Sequence, residues 1–398
     1  MKVVVTGGDG FLGWHTRARL LARQVDGEDI DVVPVTRATF TPDALARAVR
    51  GAEVVLHCAG LNRGNGDEVF AGNIDLARRL VAALDENPGP APAVVVAGSS
   101  QADDDHPARD TPYARGKRAA GAELSAWADR TPGASAADLR FPGLFGEHGR
   151  PDYNSFVATF AHRVARGEEP RVQSDREVPL LHVGEAVQRM FGAAGRRATG
   201  TITQPGRPTR ISDVARRLRE MHDVYAPVGE IPALTGGFDV ALFNTLRAAM
   251  WPAAYPFRPA PRQDERGTLV ETVRVHGGSG QAFLSTTNPG CTRGDHVHLH
   301  KIERFQVVAG RGLIRLRRVL HDEVLEFEVD GREPAVVDMP TLWTHSITNI
   351  GTEPLVTSFW TNELFDPEHP DTYPLPVLTG RDLEDRRASG GPMIQEER

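Results

Sequence analysis

Tyr113 and Lys117 stand four residues apart in Pro112-Tyr113-Ala114-Arg115-Gly116-Lys117, a spacing that sets both side chains on one face of a helix. An ammonium beside a phenol favours the phenolate electrostatically, so Tyr113 becomes a usable proton donor or acceptor near neutral pH. Two serines precede this pair, in Gly98-Ser99-Ser100 at the end of a strand-like run. A second group of reactive side chains lies far down the chain. His296 and His298 occupy alternate positions of an extended segment, so both imidazoles can meet one ion. Glu303 follows shortly after, and His345 sits on a later strand-like run, completing a set of four. Zinc suits mixed nitrogen and oxygen ligands, and three histidines with a glutamate also fit iron, manganese or nickel. His300 would share the face of His296 and His298, as a further ligand or a neighbouring acid or base.

Near the start, Thr6-Gly7-Gly8-Asp9-Gly10-Phe11-Leu12-Gly13 joins a strand-like run to a helix-like one. Glycines at 7, 10 and 13 let the backbone turn tightly, approach a pyrophosphate and pack helix against strand. The helix start offers free N–H groups and a positive dipole end to the anion. Dinucleotide binding by this loop, through Gly7, Gly10, Phe11, Leu12 and Gly13, is expected. The second strand-like run ends in Val35-Thr36-Arg37. An acidic residue there would accept from a ribose 2′-hydroxyl, whereas arginine pairs with a 2′-phosphate, which favours NADPH over NADH.

The elements that must carry these residues alternate in the first half. Strands are expected at Val3–Val5, Asp31–Val35, Glu53–Cys58, Ala93–Ala97 and Ala137–Phe141, with helices at Phe11–Ala22, Asp43–Val49, Ile74–Leu84 and Pro112–Ala128. That pattern gives a parallel, doubly wound α/β (Rossmann) sheet. Residues 151–250 read as a substrate-covering extension, with helices at Phe156–Ala165, Ala186–Ala194, Ile211–Met221 and Leu242–Met250 around a strand at Val178–His182. Four prolines (252, 256, 259 and 261) cannot continue a helix, so residues 251–263 read as a linker. From there, short β runs follow one another without helices: Thr268–Val275, Gln281–Thr287, Arg304–Val308, Gly312–Arg318, Val324–Val329, Ala335–Met339 and Leu355–Trp360. They suggest an all-β antiparallel barrel or jelly roll over 264–386, with a flexible charged tail at 387–398.

Composition excludes several classes. The 398 residues carry 46 basic and 53 acidic side chains, a net charge of −7, where a general nucleic-acid binder carries a basic excess. Apolar runs such as Val94-Val95-Val96 are far short of the roughly 20 residues of a membrane span, and the N-terminal residues lack the pattern of a secretory signal. A cytoplasmic protein is expected, without nucleic-acid or membrane partners. Cys58 and Cys291 are too far apart in sequence for a CxxC pair and are expected as free thiols.

With the glycine loop, Tyr113 and Lys117 in place, residues 1 to about 250 resemble the extended short-chain dehydrogenase/reductases that act on nucleotide sugars. Val55-Leu56-His57-Cys58-Ala59-Gly60 is similar to that family's fourth-strand segment, Asn73 to its structural asparagine, Arg140-Phe141-Pro142-Gly143-Leu144-Phe145-Gly146 to its post-strand signature and Leu181-His182-Val183 to a later motif. The resemblance implies Tyr113 as proton donor, Lys117 as its partner and a ribose ligand, and Ser99 or Ser100 as the hydrogen-bond donor to the substrate carbonyl. Gly143 departs from the family, whose asparagine there contacts the substrate phosphate. The run from Gly290 through His296, His298 and Glu303 to Gly310 resembles the first cupin motif, while the second motif, around His345, carries Leu342 in place of its glycine. Together the modules resemble the bifunctional nucleotide-sugar epimerase/reductases of capsular-polysaccharide synthesis. Supporting stretches are Pro151-Asp152-Tyr153-Asn154-Ser155, Asp264-Glu265-Arg266-Gly267, Asn288-Pro289-Gly290, Asn362-Glu363-Leu364-Phe365-Asp366-Pro367 and Pro370-Asp371-Thr372-Tyr373.

That resemblance implies a UDP-linked 4-keto-6-deoxy-N-acetylhexosamine, epimerised at carbon 3 in the cupin and then reduced at carbon 4 by NADPH. It implies a divalent metal held by His296, His298, Glu303 and His345, a base at His300 or Lys301, and a homodimer. Two other readings stand beside it: a nucleotide-sugar ketoreductase with a structural cupin, and a non-catalytic cofactor-sensing or sugar-binding protein.

Overall fold

The computed structural model describes residues 1–265 and 267–379. The tail expected at 387–398, the end of the β-rich region from 380 and Arg266 lie outside the described residues. Contacts divide the chain into two compact units, Met1–Thr159 with Val172–Val214, and Phe160–Arg171 with Ala215 onward.

The first unit opens with β1 (Lys2–Thr6), α1 (Phe11–Val25), β2 (Asp31–Val35), α2 (Pro42–Val49), β3 (Val54–His57), α3 (Gly66–Asp85), β4 (Ala93–Ser99), α4 (Pro112–Arg130) and β5 (Ser135–Phe141). There follow β6 (Gly143–Phe145), α5 (Phe156–Ala165), β7 (Glu177–His182), α6 (Val183–Gly195), β8 (Gly200–Thr203), β9 (Arg207–Arg210) and α7 (Ile211–Tyr225); α5 and α7 run on into the second unit. Six strands make one parallel sheet in the order β2-β1-β3-β4-β5-β8. Alternation within the apolar runs explains why it is covered on both faces. Val4, Val55, Val94 and Val96 pack with Leu45, Leu80, Leu124 and Trp127 of α2, α3 and α4. Val3, Val5, Leu56 and Val95 turn the other way, onto Leu20 of α1 and Met190 of α6. Since β2 and β3 flank β1 on opposite sides, the crevice at the carboxyl ends of β1 and β3 is the switch point where such sheets take their ligands.

Two differences from the sequence reading have plain causes. Helix α3 begins at Gly66, eight residues before the expected Ile74, because Asn65 and Glu68 form a capping box, with Asn65 Oδ1 accepting from Glu68 N at 2.9 Å and Glu68 Oε2 from Asn65 N at 3.3 Å. Strand β8, unseen in the sequence, extends the sheet by pairing Gly200–Thr203 with β5, although all its residues are exposed and carry no apolar alternation.

In the second unit, α8 (Gly237–Met250) precedes β10 (Arg262–Asp264), β11 (Gly267–Leu269), β12 (Gln281–Thr287), β13 (Thr292–Val297), β14 (Glu303–Ala309), β15 (Arg311–Arg318), β16 (Val324–Asp330), β17 (Val336–Met339), β18 (Trp343–Asn349), β19 (Leu355–Thr361) and β20 (Tyr373–Pro374). Of the expected strand Thr268–Val275 only the first two residues are strand, since β11 pairs with nothing but the three residues of β10. Two antiparallel sheets, β12-β19-β14-β17 and β16-β15-β18-β13-β20, enclose Phe305, Val307, Phe359, Ile314, Leu316 and Ile347 as a jelly-roll core. In the proline-rich stretch, Tyr255 and Phe257 are buried, and Phe257 exchanges backbone hydrogen bonds with Val336 of 3.0 and 2.8 Å. No helix among the described residues is long and apolar enough to cross a membrane.

A buried polar network ties α7 to this β domain. Asp338 on β17 is fully buried and accepts from Arg304 Nε at 2.6 Å, Arg304 Nη2 at 2.8 Å and Tyr225 Oη at 2.6 Å. Burial opposes its ionisation, yet the Arg304 guanidinium holds the carboxyl below the usual range. Removing one partner of such a pair leaves an uncompensated buried charge. Asp338→Ala is therefore expected to destabilise the second unit by about 3–5 kcal/mol, read as a lowered urea midpoint, with near-wild-type stability contradicting this account of the network.

Candidate functional site

The glycine loop leaves β1 with Gly7 at φ +67, where a Cβ would stand 2.7 Å from the backbone of Ala59. A Cβ on Gly13 would stand 2.1 Å from the Gly7 carbonyl oxygen. The first turn of α1 thus rests directly on the loop, and the loop on the segment after β3. Helix α1 starts at Gly10 with no side-chain cap and no acidic residue in its first turn, so its N–H groups are open to an anion. Phe11 and Leu12 open that turn, both half-buried, and Arg37 is exposed just beyond β2. At the strand ends, Thr6 Oγ1 lies 2.8 Å from His57 Nδ1. His57 is buried, and desolvation, with the Lys117 charge adding to it, lowers it to about 3, so it is neutral at physiological pH. The two cysteines are free, and burial pushes the Cys58 thiol up to about 12, which makes it inert.

Ser99 is the buried last residue of β4 and accepts from Gln101 N at 3.3 Å, starting the turn Ser100–Ala102, in which Ser100 is half-buried. That turn is braced from two sides. Ala102 O accepts from Arg118 Nε at 3.1 Å and Arg140 Nη1 at 2.7 Å, and Arg140 also grips Asp103 at 2.9 Å and the buried Asp138 at 3.2 Å. Thr111 caps α4, placing Tyr113 and Lys117 on its first two turns. Tyr113 is half-buried and Lys117 buried. A Cβ on Gly60 would meet Lys117 Nζ at 3.1 Å and Asn73 Oδ1 at 3.2 Å. Lys117 therefore lies beside the Ala59–Gly60 segment on which the glycine loop rests. The exposed backbone of Gly143 offers no side chain to a phosphate.

In the β domain, His296 is the penultimate residue of β13, His298 follows the strand, Glu303 opens β14 and His345 lies in β18. Their ligand atoms all fall within 4.8 Å of one another. His298 Nδ1 faces Asp371 O at 2.6 Å and His345 Nδ1 faces Trp343 O at 3.1 Å. A carbonyl oxygen only accepts, so each Nδ1 carries a hydrogen, and in a neutral ring each Nε2 then presents its lone pair. Those Nε2 atoms nevertheless point at another acceptor, Glu303 Oε2, at 3.1 and 3.0 Å. His296 Nε2 is buried 3.5 Å from the same oxygen with no hydrogen-bond partner. Electron pairs converging on one point are what a divalent cation satisfies, and the donor set fits one. Leu342, in the position of the cupin glycine, has φ +65, is fully buried and donates from its N–H to His298 O at 2.9 Å.

His300 does not share the face of His296 and His298, because β13 ends at Val297 and the chain bends. Its Nδ1 lies 3.2 Å from Asp371 Oδ2 and 3.8 Å from Glu363 Oε2, with the side chain 61% exposed. Lys301 donates from Nζ to Pro370 O at 2.8 Å and Thr372 Oγ1 at 2.9 Å. Sequence reasoning overlooked the parts that hold the site rather than form it: His57 under the loop, Asp138 and Arg140 behind the serine turn, and Asn362 and Asp371 around residues 298–303. Asn362 Oδ1 accepts from Ile302 N at 2.8 Å. The signal was that His57, Arg140, Asn362 and Asp371 fall in stretches shared with the resembled enzymes; Asp138 lies outside them.

Residues 3–202 match the NAD dependent epimerase/dehydratase family, and residues 262–373 the polysaccharide biosynthesis C-terminal domain. A curated relative, UDP-2-acetamido-2,6-beta-L-arabino-hexul-4-ose reductase of Pseudomonas aeruginosa, is 31% identical over 385 residues, 96% of this chain and all of that protein. Among solved structures, the capsular polysaccharide assembling protein CapF of Staphylococcus aureus is 32% identical, with a TM-score of 0.59 over 95% of this chain and all of that one. A structure of CapF with the inhibitor 3-isopropenyl-tropolone is 28% identical, with a TM-score of 0.53 and the same coverage.

His57 gives the first unit a pH dependence of defined sign. An unfolded imidazole titrates near 6.5 and the folded one near 3, so the unfolded chain binds more protons between those values. Its contribution to stability is complete above about pH 6.5 and falls as the pH drops towards 3, by about 2 kcal/mol at pH 5. Melting curves from pH 7.5 to 5 are expected to fall less steeply in His57→Gln than in the wild type; parallel slopes would remove His57 as the source.

Proposed function

Since this chain belongs to the NAD dependent epimerase/dehydratase family, we propose that it is a bifunctional nucleotide-sugar enzyme: its β domain epimerises carbon 3 of a UDP-linked 4-keto-6-deoxy-N-acetylhexosamine with metal assistance, and its N-terminal unit then reduces the carbon 4 ketone with NADPH. The observation that carries the reading is the convergence of His296, His298, His345 and Glu303, in a chain that also holds a Ser99, Tyr113 and Lys117 set behind a dinucleotide loop. The relative named as a UDP-hexul-4-ose reductase supports the substrate class, and its alignment runs through both halves.

A carbon 4 ketone acidifies the neighbouring carbon 3 hydrogen. When bound, a divalent cation supplies charge stabilisation for the enolate that proton loss creates, and NADPH supplies the hydride. His300 takes the carbon 3 proton, since its ring is exposed with Nδ1 turned to Asp371, whereas the Lys301 ammonium is occupied by two acceptors. Inversion follows when a proton drawn from water is delivered to the opposite face of carbon 3 while His300 passes the first one to solvent. In the other unit, Ser99 would donate a hydrogen bond to the carbon 4 oxygen, Tyr113 would give its proton to that oxygen as the carbon takes up hydride, and the Lys117 ammonium would offset the negative charge left on the Tyr113 oxygen. Reduction removes the ketone and with it the acidity, so the new configuration is locked. Arg37, exposed beyond β2, would pair with the cofactor's 2′-phosphate.

Three results test the reading. Tyr113→Phe should abolish NADPH oxidation while leaving NADPH affinity within about twofold, because only the proton donor is lost. Arg37→Asp should move cofactor preference towards NADH, and a wild type that already prefers NADH ends the arginine argument. In heavy water, His296→Ala with His345→Ala should strip the metal and stop deuterium uptake at carbon 3, while reduction of a ketone supplied in the correct configuration continues. Exchange at the wild-type rate in a folded, metal-free double variant would favour a ketoreductase with a structural β domain.

A further inference from the structure

We propose that Asp371 is a positioning residue of the metal centre, fixing the segment His298–Lys301 and through it the nitrogen that His298 presents to the ion; this rests on the metal reading above. Four successive residues are held by this one. The Asp371 carbonyl accepts from His298 Nδ1 at 2.6 Å, Oδ1 accepts from Leu299 N at 3.0 Å, and Oδ2 accepts from His300 N at 3.0 Å and Lys301 N at 2.7 Å. The carboxylate is 3% exposed, so the three bonds it accepts are charge-assisted and shielded from water. They settle two things about His298: which ring nitrogen keeps the hydrogen, and the direction in which Nε2 points. Either would drift if the backbone after His298 were free, because that backbone sets the separation between the imidazole and the carbonyl that accepts from it. An aspartate suits the place, since its backbone has φ +43, a region aspartate and asparagine enter more readily than most residues.

The hold is separable from the fold. The strap carrying Asp371 is attached apart from this carboxylate: Tyr373 and Pro374 pair with Val297 and His296, Arg317 donates to Pro376 O and Val377 O at 2.7 Å each, and Thr344 Oγ1 donates to Leu375 O. Removing the carboxylate therefore releases residues 299–301 while the strap stays in place. Asn362, which holds Ile302, braces the far end of the same loop, so the released segment is the His298 end.

The test uses the full chain freed of metal with a chelator, titrated with Co2+ while its visible d–d bands are followed, and with Zn2+ against a chromophoric competitor. Asp371→Ala should bind both ions about 10–100-fold more weakly, the usual effect of losing a group that orients a ligand, and shift the position or intensity of the Co2+ bands. Asp371→Asn keeps the positive φ and one acceptor but turns an amide towards two N–H donors, so it should fall between Ala and wild type. NADPH affinity and circular dichroism should stay as in the wild type. The spectral shift matters because a mere loss of stability would not change the coordination geometry of the ion that does bind. Wild-type affinity and an unaltered spectrum in a folded Asp371→Ala or Asp371→Asn overturn the proposal and leave the metal reading standing; failure of the wild type to bind either ion overturns both.

Discussion

Three imidazole nitrogens converge on one carboxylate oxygen, that of Glu303, and the β domain is arranged around that convergence. Glu303 belongs to the four-stranded sheet, His296 and His345 to the five-stranded one, and His298 to the bend between β13 and β14. An ion held by all four would fasten the two sheets at the end where their strands exchange. The neighbouring contacts serve the same geometry. Trp343 O and Asp371 O hold the outer ring nitrogens of His345 and His298, and Arg304, next to Glu303, is locked to Asp338 on the other side of the sheet. Alternate residues of β14 thus anchor the strand outwards and present the ligand inwards.

The N-terminal unit depends on a steric constraint instead of a charge. Gly7 rests on Ala59 and Gly13 on Gly7, with no room for a side chain at either glycine. The contact places the open end of α1 over the crevice between β1 and β3, and Gly60, next in the chain, lets Lys117 approach the same crevice from α4. The glycine loop and the helix carrying Tyr113 and Lys117 thus meet at the Ala59–Gly60 segment, through backbone contact on the loop side and through the Lys117 side chain on the other. The serine turn needs more support because it leaves its strand in an irregular path, and two arginines from different elements supply that support at the Ala102 carbonyl.

Much of this was legible in the residues themselves. The valine runs announce a sheet buried on both faces, the glycine spacing a tight strand-to-helix loop, and the His-x-His with later carboxylate and imidazole a cluster whose side-chain atoms do lie together. Legibility failed where the cause is non-local. The start of α3 is set by a reciprocal cap at Asn65 and Glu68 beneath a Gly-rich, polar stretch that reads as loop. His300 looked like a third member of the strand face because alternation was carried past Val297, where the strand stops. Asp371 lies about seventy residues from the loop it holds, and nothing in a single sequence announces which distant carboxylate will satisfy three backbone donors.

Leu342 shows what a motif glycine stands for. The left-handed backbone persists without glycine, at about 1–2 kcal/mol for an L-residue, and the buried leucine side chain returns about 1.5–3 kcal/mol through the apolar surface it removes from water. A leucine also leaves the unfolded chain fewer conformations to lose than glycine would. What the chain supplies at this point is an N–H delivered to the His298 carbonyl, and here a leucine delivers it while filling the space behind the turn. Motif matching that scores residue identity would count a defect here; matching that scores backbone shape would count none.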